Sequence, residues 1–151
     1  DLPKVVRWVS LRQEPLVVLC TPRDARTDPL SLLQTRSLVR YDRRLAGGKL
    51  ADRFLAAHGL APHTCLELNS VMAVALMVER GLGVGLVPDI GDALVQGRQL
   101  RKLPLPLGGR HVKGPSTPAP RELGVLWVHT SPRVRWVSGL VAQAQSVCAS
   151  S

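Results

Sequence analysis

The sequence predicts an α/β domain: a parallel-rich sheet with helices on both faces. Three observations carry that expectation. Short apolar runs of strand length alternate with helical patterns from residue 15 to residue 87. The turns between them are brief and marked by Gly and Pro, which suits crossover connections rather than hairpins. One helical run is apolar almost all round, the pattern of an element held in an interior.

Residues 15–20, Pro-Leu-Val-Val-Leu-Cys, are continuous and rich in β-branched side chains, so they read as a strand buried on both faces. Thr21-Pro22-Arg23-Asp24 breaks it as a turn. Ser37 to Tyr41 reads as a second strand. A loop holding Gly47 and Gly48 follows, then a helix from about Lys49 to His58 whose face carries Leu50, Phe54 and Ala57. Gly59 and Pro62 stop it. Thr64 to Leu68 is a third strand. Asn69 or Ser70 caps a helix running to about Arg80, and Gly81 ends it. Val84 to Val87 is a fourth buried strand. Beyond Pro88 the pattern loosens: a short helical stretch over 90–95, an edge strand over 99–103, and a Pro/Gly-rich loop over 104–120. Residues 123–128 form another strand. The stretch 132–148 reads as an amphipathic helix with Val137, Leu140, Val141 and Ala144 on its apolar stripe.

The 151 residues suit one domain, or one and a fraction. No apolar run reaches the roughly 20 residues of a membrane span, so no membrane partner is expected. The chain starts at Asp1 without a Met or a signal-peptide pattern, as a processed or excerpted sequence would. Three cysteines, Cys20, Cys65 and Cys148, are widely spaced and odd in number. They read as buried free thiols in a reducing cytoplasm, with no metal site and no cofactor implied. The formal charge of +9 invites a nucleic-acid reading. The basic residues are scattered, however, and only 3% of the chain is aromatic, so the stacking platform of a single-strand binder is missing. A solvated Arg-rich surface, or attraction of a small organic anion, accounts for the charge.

Taken in series, several segments resemble the LysR-type transcription regulators: Glu14-Pro15-Leu16-Val17-Val18-Leu19, Leu38-Val39-Arg40-Tyr41-Asp42, and Glu67-Leu68-Asn69-Ser70, then Val78-Glu79-Arg80-Gly81-Leu82-Gly83-Val84-Gly85-Leu86-Val87-Pro88. Gly124-Val125-Leu126-Trp127 with Ser131-Pro132 and a last helix is similar to the end of their effector domain. The resemblance implies a fold like the type II periplasmic binding proteins, two α/β lobes with a ligand between them. It implies a division into 1–13 (remnant of the first lobe and hinge), 14–121 (second lobe) and 122–151 (return strand and terminal helix packing toward the first lobe). The first lobe is then incomplete, and the winged helix-turn-helix that would contact DNA is absent from the chain. It also implies a cytoplasmic sensor of a small-molecule effector that assembles as a homo-oligomer, a dimer or tetramer in the full protein, with the Lys49–His58 helix as a candidate surface. An extracytoplasmic solute-binding protein of the same fold is the alternative.

Ligands of doubly wound sheets sit at the carboxyl ends of the strands, near helix N-termini that favour anions. Three places qualify: Cys20 and Thr21; Asp42, Arg43, Arg44, Gly47 and Gly48; and Asn69 and Ser70. An arginine there can grip a carboxylate with two hydrogen bonds. A plainer reading stands beside each, since Asn69 and Ser70 are good helix caps and Gly47-Gly48 makes a turn. Catalysis has little to rest on. None of His58, His63, His111 and His129 adjoins a nucleophile in a recognisable motif, so no catalytic residue is assigned. The Gly81-x-Gly83-x-Gly85 run leads into a strand rather than from strand to helix. It therefore fits a helix stop with tight helix–strand packing, not a nucleotide loop.

Overall fold

The computed structural model describes residues 5–106, 118–128, 130 and 132–149. In chain order the elements are β1 (Val6–Glu14), β2 (Leu16–Cys20), α1 (Pro29–Thr35), β3 (Leu38–Tyr41), α2 (Ala46–Ala57), β4 (Thr64–Leu68), α3 (Val71–Glu79), β5 (Val84–Pro88), a single 3-10 turn (Asp92–Leu94), β6 (Arg101–Pro104), β7 (Arg121–Val128) and α4 (Val134–Ala149). They fall into two compact units, Pro15–Arg121 on one hand and Asp1–Glu14 with Glu122–Ser151 on the other.

The larger unit holds a five-stranded sheet in the order β4-β3-β5-β2-β6. β3 is parallel to β4 and to β5, whereas β2 is antiparallel to β5 and to β6. The α/β class expected from the sequence holds, and the sheet is mixed rather than parallel throughout. The apolar run of β2 shows that the strand is buried on both faces, and it is the same run read in either direction. Side-chain pattern fixes the faces of a strand, not its polarity.

Helices cover both faces. Leu16, Val18 and Leu86 of the sheet pack with Leu32 and Leu33 of α1 and with Phe54 and Leu55 of α2. On the other face Val17, Leu19, Val39 and Val87 pack with Val71, Val74, Ala75 and Val78 of α3. Each such Leu, Val or Phe side chain contributes about 1.5–3 kcal/mol on full burial. α3 departs from the interior helix expected: Leu76 is exposed and Met72, Ala73 and Met77 are half-buried, because only one sheet face lies against it. Two further differences concern the helices. α1 carries no long periodic pattern, and its start is set by Asp28, whose carboxylate accepts from Ser31 N at 2.9 Å. α2 begins at Ala46, so Gly47 and Gly48 are in its first turn and not in a loop. The Gly81 and Gly83 turn ends α3 as expected. Gly81 has φ +82, and Leu82 N reaches back to Met77 O at 3.2 Å. A Cβ on Gly85 would lie 2.8 Å from Val74, which is the tight helix–strand packing expected there.

In the smaller unit β1 pairs with β7, and α4 packs on β1. Of the stripe expected on α4, Val141 is buried, Val137 and Ala144 are half-buried, and Leu140 is exposed together with Trp136 and Val147. Most of the Pro/Gly-rich loop, with His111, and also His129 and Ser131, lies outside the described residues.

Candidate functional site

Because β3, β4 and β5 run the same way, their carboxyl ends share one end of the sheet. Asp42 directly follows β3, Asn69 and Ser70 follow β4, and Pro88 closes β5. The two first segments are tied together by Asp42 N, which donates to Leu68 O at 2.8 Å. A crevice of about 430 Å³ opens there, lined by Asp42, Arg43, Arg44, Glu67, Leu68 and Asn69.

Its geometry follows from short local contacts. Asp42 is buried, and its carboxylate accepts from Arg44 N at 2.8 Å, Arg44 Nε at 3.1 Å and Arg44 Nη2 at 2.7 Å. The Arg44 side chain and then its backbone N–H hold the Asp42 carboxyl well below its ordinary value, at about 2. The same pair pushes the Arg44 guanidinium up. Arg43 is exposed and only loosely held by Glu67, with Nε 3.6 Å from Oε2 and its backbone N 3.3 Å from Oε1. The Asn69 side chain is exposed and, among the described residues, makes no hydrogen bond. Ser70 caps α3, accepting from Ala73 N at 3.4 Å.

Two helix N-termini follow these strands. α2 has Leu45 at its cap position and no side-chain cap, so its first N–H groups keep their partial positive charge. The helix is pressed onto the strand end: a Cβ on Gly48 would lie 2.0 Å from Asp42 O, and one on Gly47 would lie 2.4 Å from Pro88. Gly47 and Gly48 are therefore buried spacers beneath the crevice and do not line it. An arrangement of one loosely held guanidinium and one free amide can receive a small anion by hydrogen bonding. Asp42 stays ionised near neutrality beside Arg44, and among the described residues no histidine lines the crevice.

Cys20 and Thr21 lie elsewhere. β2 runs against β3 and β5, so its carboxyl end is at the opposite end of the sheet, and the single edge expected for all the candidate residues divides in two. Cys20 is fully buried in the core, where desolvation and then the Asp24 charge push its thiol up. Glu67 is a crevice residue that the sequence reading passed over. Its place at the end of the strand that leads into Asn69 was the signal available. Among the described residues no group of three or more His, Cys, Asp or Glu could hold a metal ion, and no helix is long and apolar enough to cross a membrane.

Residues 3–148 match the family described as the LysR substrate binding domain. The chain belongs to the LysR family. It is an effector-binding domain of that family of regulators, which is not an enzyme family, and membership sets aside the solute-binding alternative. Over 68 residues it is 37% identical to the HTH-type transcriptional regulator CysB of Burkholderia cenocepacia, a match covering 45% of this chain and 22% of that protein. The fold matches the regulatory domain of Synechocystis PCC6803 CcmR in complex with 2-PG, with a TM-score of 0.71 at 15% identity, covering 98% of this LysR domain and 70% of that chain. It also matches the effector binding domain of QuiR in complex with shikimate, with a TM-score of 0.68 at 15% identity, covering 94% and 66%. LysR effector domains bind small-molecule effectors.

Proposed function

We propose that this LysR domain senses a small organic anion at the Asp42–Asn69 crevice and reports it to a DNA-binding part of the full-length regulator. The observation that carries the reading is the meeting of two parallel strand ends, the loosely held Arg43 and the unpaired Asn69 amide on one 430 Å³ space. The 2-PG and shikimate complexes of the similar domains support a compact anionic or hydroxylated effector. In this reading 14–121 is the second lobe, 1–13 and 122–151 belong with the first, the protein works in the cytoplasm, and α2 contributes to a homo-oligomer. A ligand alters the regulator only by its difference in affinity between two states.

The test is a thermal-shift screen of the chain against small organic acids and amino acids. A ligand at about 100 times its dissociation constant adds about 2.7 kcal/mol, roughly 5–10 °C here. A shift from one chemical class, lost in Arg43→Ala with Asn69→Ala, is the expected result. A cooperative melt that no acid moves contradicts the proposal.

A further inference from the structure

The opposite end of the sheet holds a cavity of about 520 Å³ that the effector reading does not use. Thr21, Pro22, Arg23 and Asp24 of the turn after β2 form one wall, and Arg36 borders it before β3. The turn from Glu79 to Gly83 forms the other, with Gln99 beside it. These walls are fixed by backbone contacts. Asp24 N donates to Thr21 O at 3.0 Å, and Val84 N donates to Ser37 O at 2.9 Å. Gly83 has φ +155 and sits so close to Ser37 that a Cβ would lie 2.1 Å from its carbonyl oxygen.

The charges of the lining do not cancel. Both carboxylates already have partners: Asp24 Oδ1 is 2.5 Å from Arg36 Nη2, and Glu79 accepts from Gln99 N at 2.7 Å and from Arg98 Nη1 at 3.4 Å. Arg23 and Arg80 are exposed and, among the described residues, neither has a carboxylate partner. The end of α3 contributes partial negative charge, but its last carbonyls are taken by Arg80 N, Gly81 N and Leu82 N. Attraction of an anion therefore rests on the arginine side chains.

We propose that this cavity is a second ligand site, for a compact oxyanion carrying two negative charges, held between Arg23 and Arg80 with the remaining N–H groups of Arg36. The planar fork of a guanidinium matches the oxygens of a phosphate and of a dicarboxylate alike. The site is separate from the effector crevice. The sheet strands between them have four or five residues, about 13–17 Å of chain, so one small molecule does not reach both.

The experiment titrates the 151-residue chain by calorimetry with inorganic phosphate and with succinate, at ionic strength held constant with sodium chloride. Constant ionic strength matters because exposed arginines are screened by salt. Arg23→Gln with Arg80→Gln is compared with Arg43→Ala with Asn69→Ala, and each variant is melted to verify that it is folded. The expected result is saturable binding that weakens roughly tenfold or more in the first variant and is unchanged in the second. The tighter of the two anions then names the class, phosphorylated or dicarboxylic. Absence of saturable binding by either anion overturns the proposal. So does binding that survives in the first variant or is lost only in the second.

Discussion

At one end of the five-stranded sheet β3, β4 and β5 finish, and α2 and α3 begin. At the other end β2 finishes and α3 stops at Gly81. Both ends are rich in arginine, yet the positive field arises differently. At the Asp42 end the formal charges of Arg43 and Arg44 meet those of Asp42 and Glu67, and the helix starts supply what remains. At the Thr21 end the helix contributes the wrong sign, and Arg23 and Arg80 supply the excess. The polarity of a single strand, β2, separates these two environments, because it moves Cys20 and Thr21 away from every other candidate residue.

The glycines that shape the two ends give the sharpest test of this contrast. Gly48→Ala sets a Cβ against the backbone of Asp42, which has no side-chain freedom to yield. It is expected to cost about 3 kcal/mol or more, roughly 6–12 °C in a thermal melt. Gly81→Ala meets nothing within 4 Å and suffers only its positive φ, so about 1–2 kcal/mol is expected from the same melt. Equal losses at the two positions would mean that α2 is not seated on the end of β3 as described. Ser70→Ala removes a long cap bond of 3.4 Å and is expected at the low end of cap losses, about 0.5–1 kcal/mol in urea unfolding.

The smallest effect is the pH dependence of Asp42. Its carboxyl is lowered from 3.8 to about 2 in the folded chain, so its pairing stabilises the fold above about pH 4. That contribution is lost as pH falls from about 4 to about 2. Melting curves of Asp42→Asn and the unaltered chain should differ at pH 7 and converge near pH 2. A difference that persists below pH 2 would assign the role of Asp42 to something other than its charge. Arg44 is largely exposed, which keeps the effect small.

Much of this arrangement was legible in the sequence. The apolar runs located β2, β3, β4 and β5, and Ser70 and Gly81 marked the ends of α3, because burial and caps are written in local residue types. The Asp42, Arg43, Arg44 and Asn69 cluster followed from strand ends preceding helix starts. Three things were not legible. The polarity of β2 depends on which strand it pairs with, and that is a long-range choice. The burial of Gly47 depends on Pro88, some 40 residues away in sequence, and that of Gly48 on how α2 folds back onto the backbone of Asp42. α1, with seven residues, is too short to show a period and is set by the Asp28 cap and its packing.

The most direct test of the account is a comparison of affinities for whichever organic acid the thermal screen selects. Its dissociation constant would be measured on the unaltered chain, on Arg43→Ala with Asn69→Ala, and on Arg23→Gln with Arg80→Gln. The account predicts a loss of roughly tenfold or more in the first variant and no change in the second. Full affinity in the first variant with a loss in the second would place effector recognition at the Thr21 end and contradict the assignment of the Asp42–Asn69 crevice.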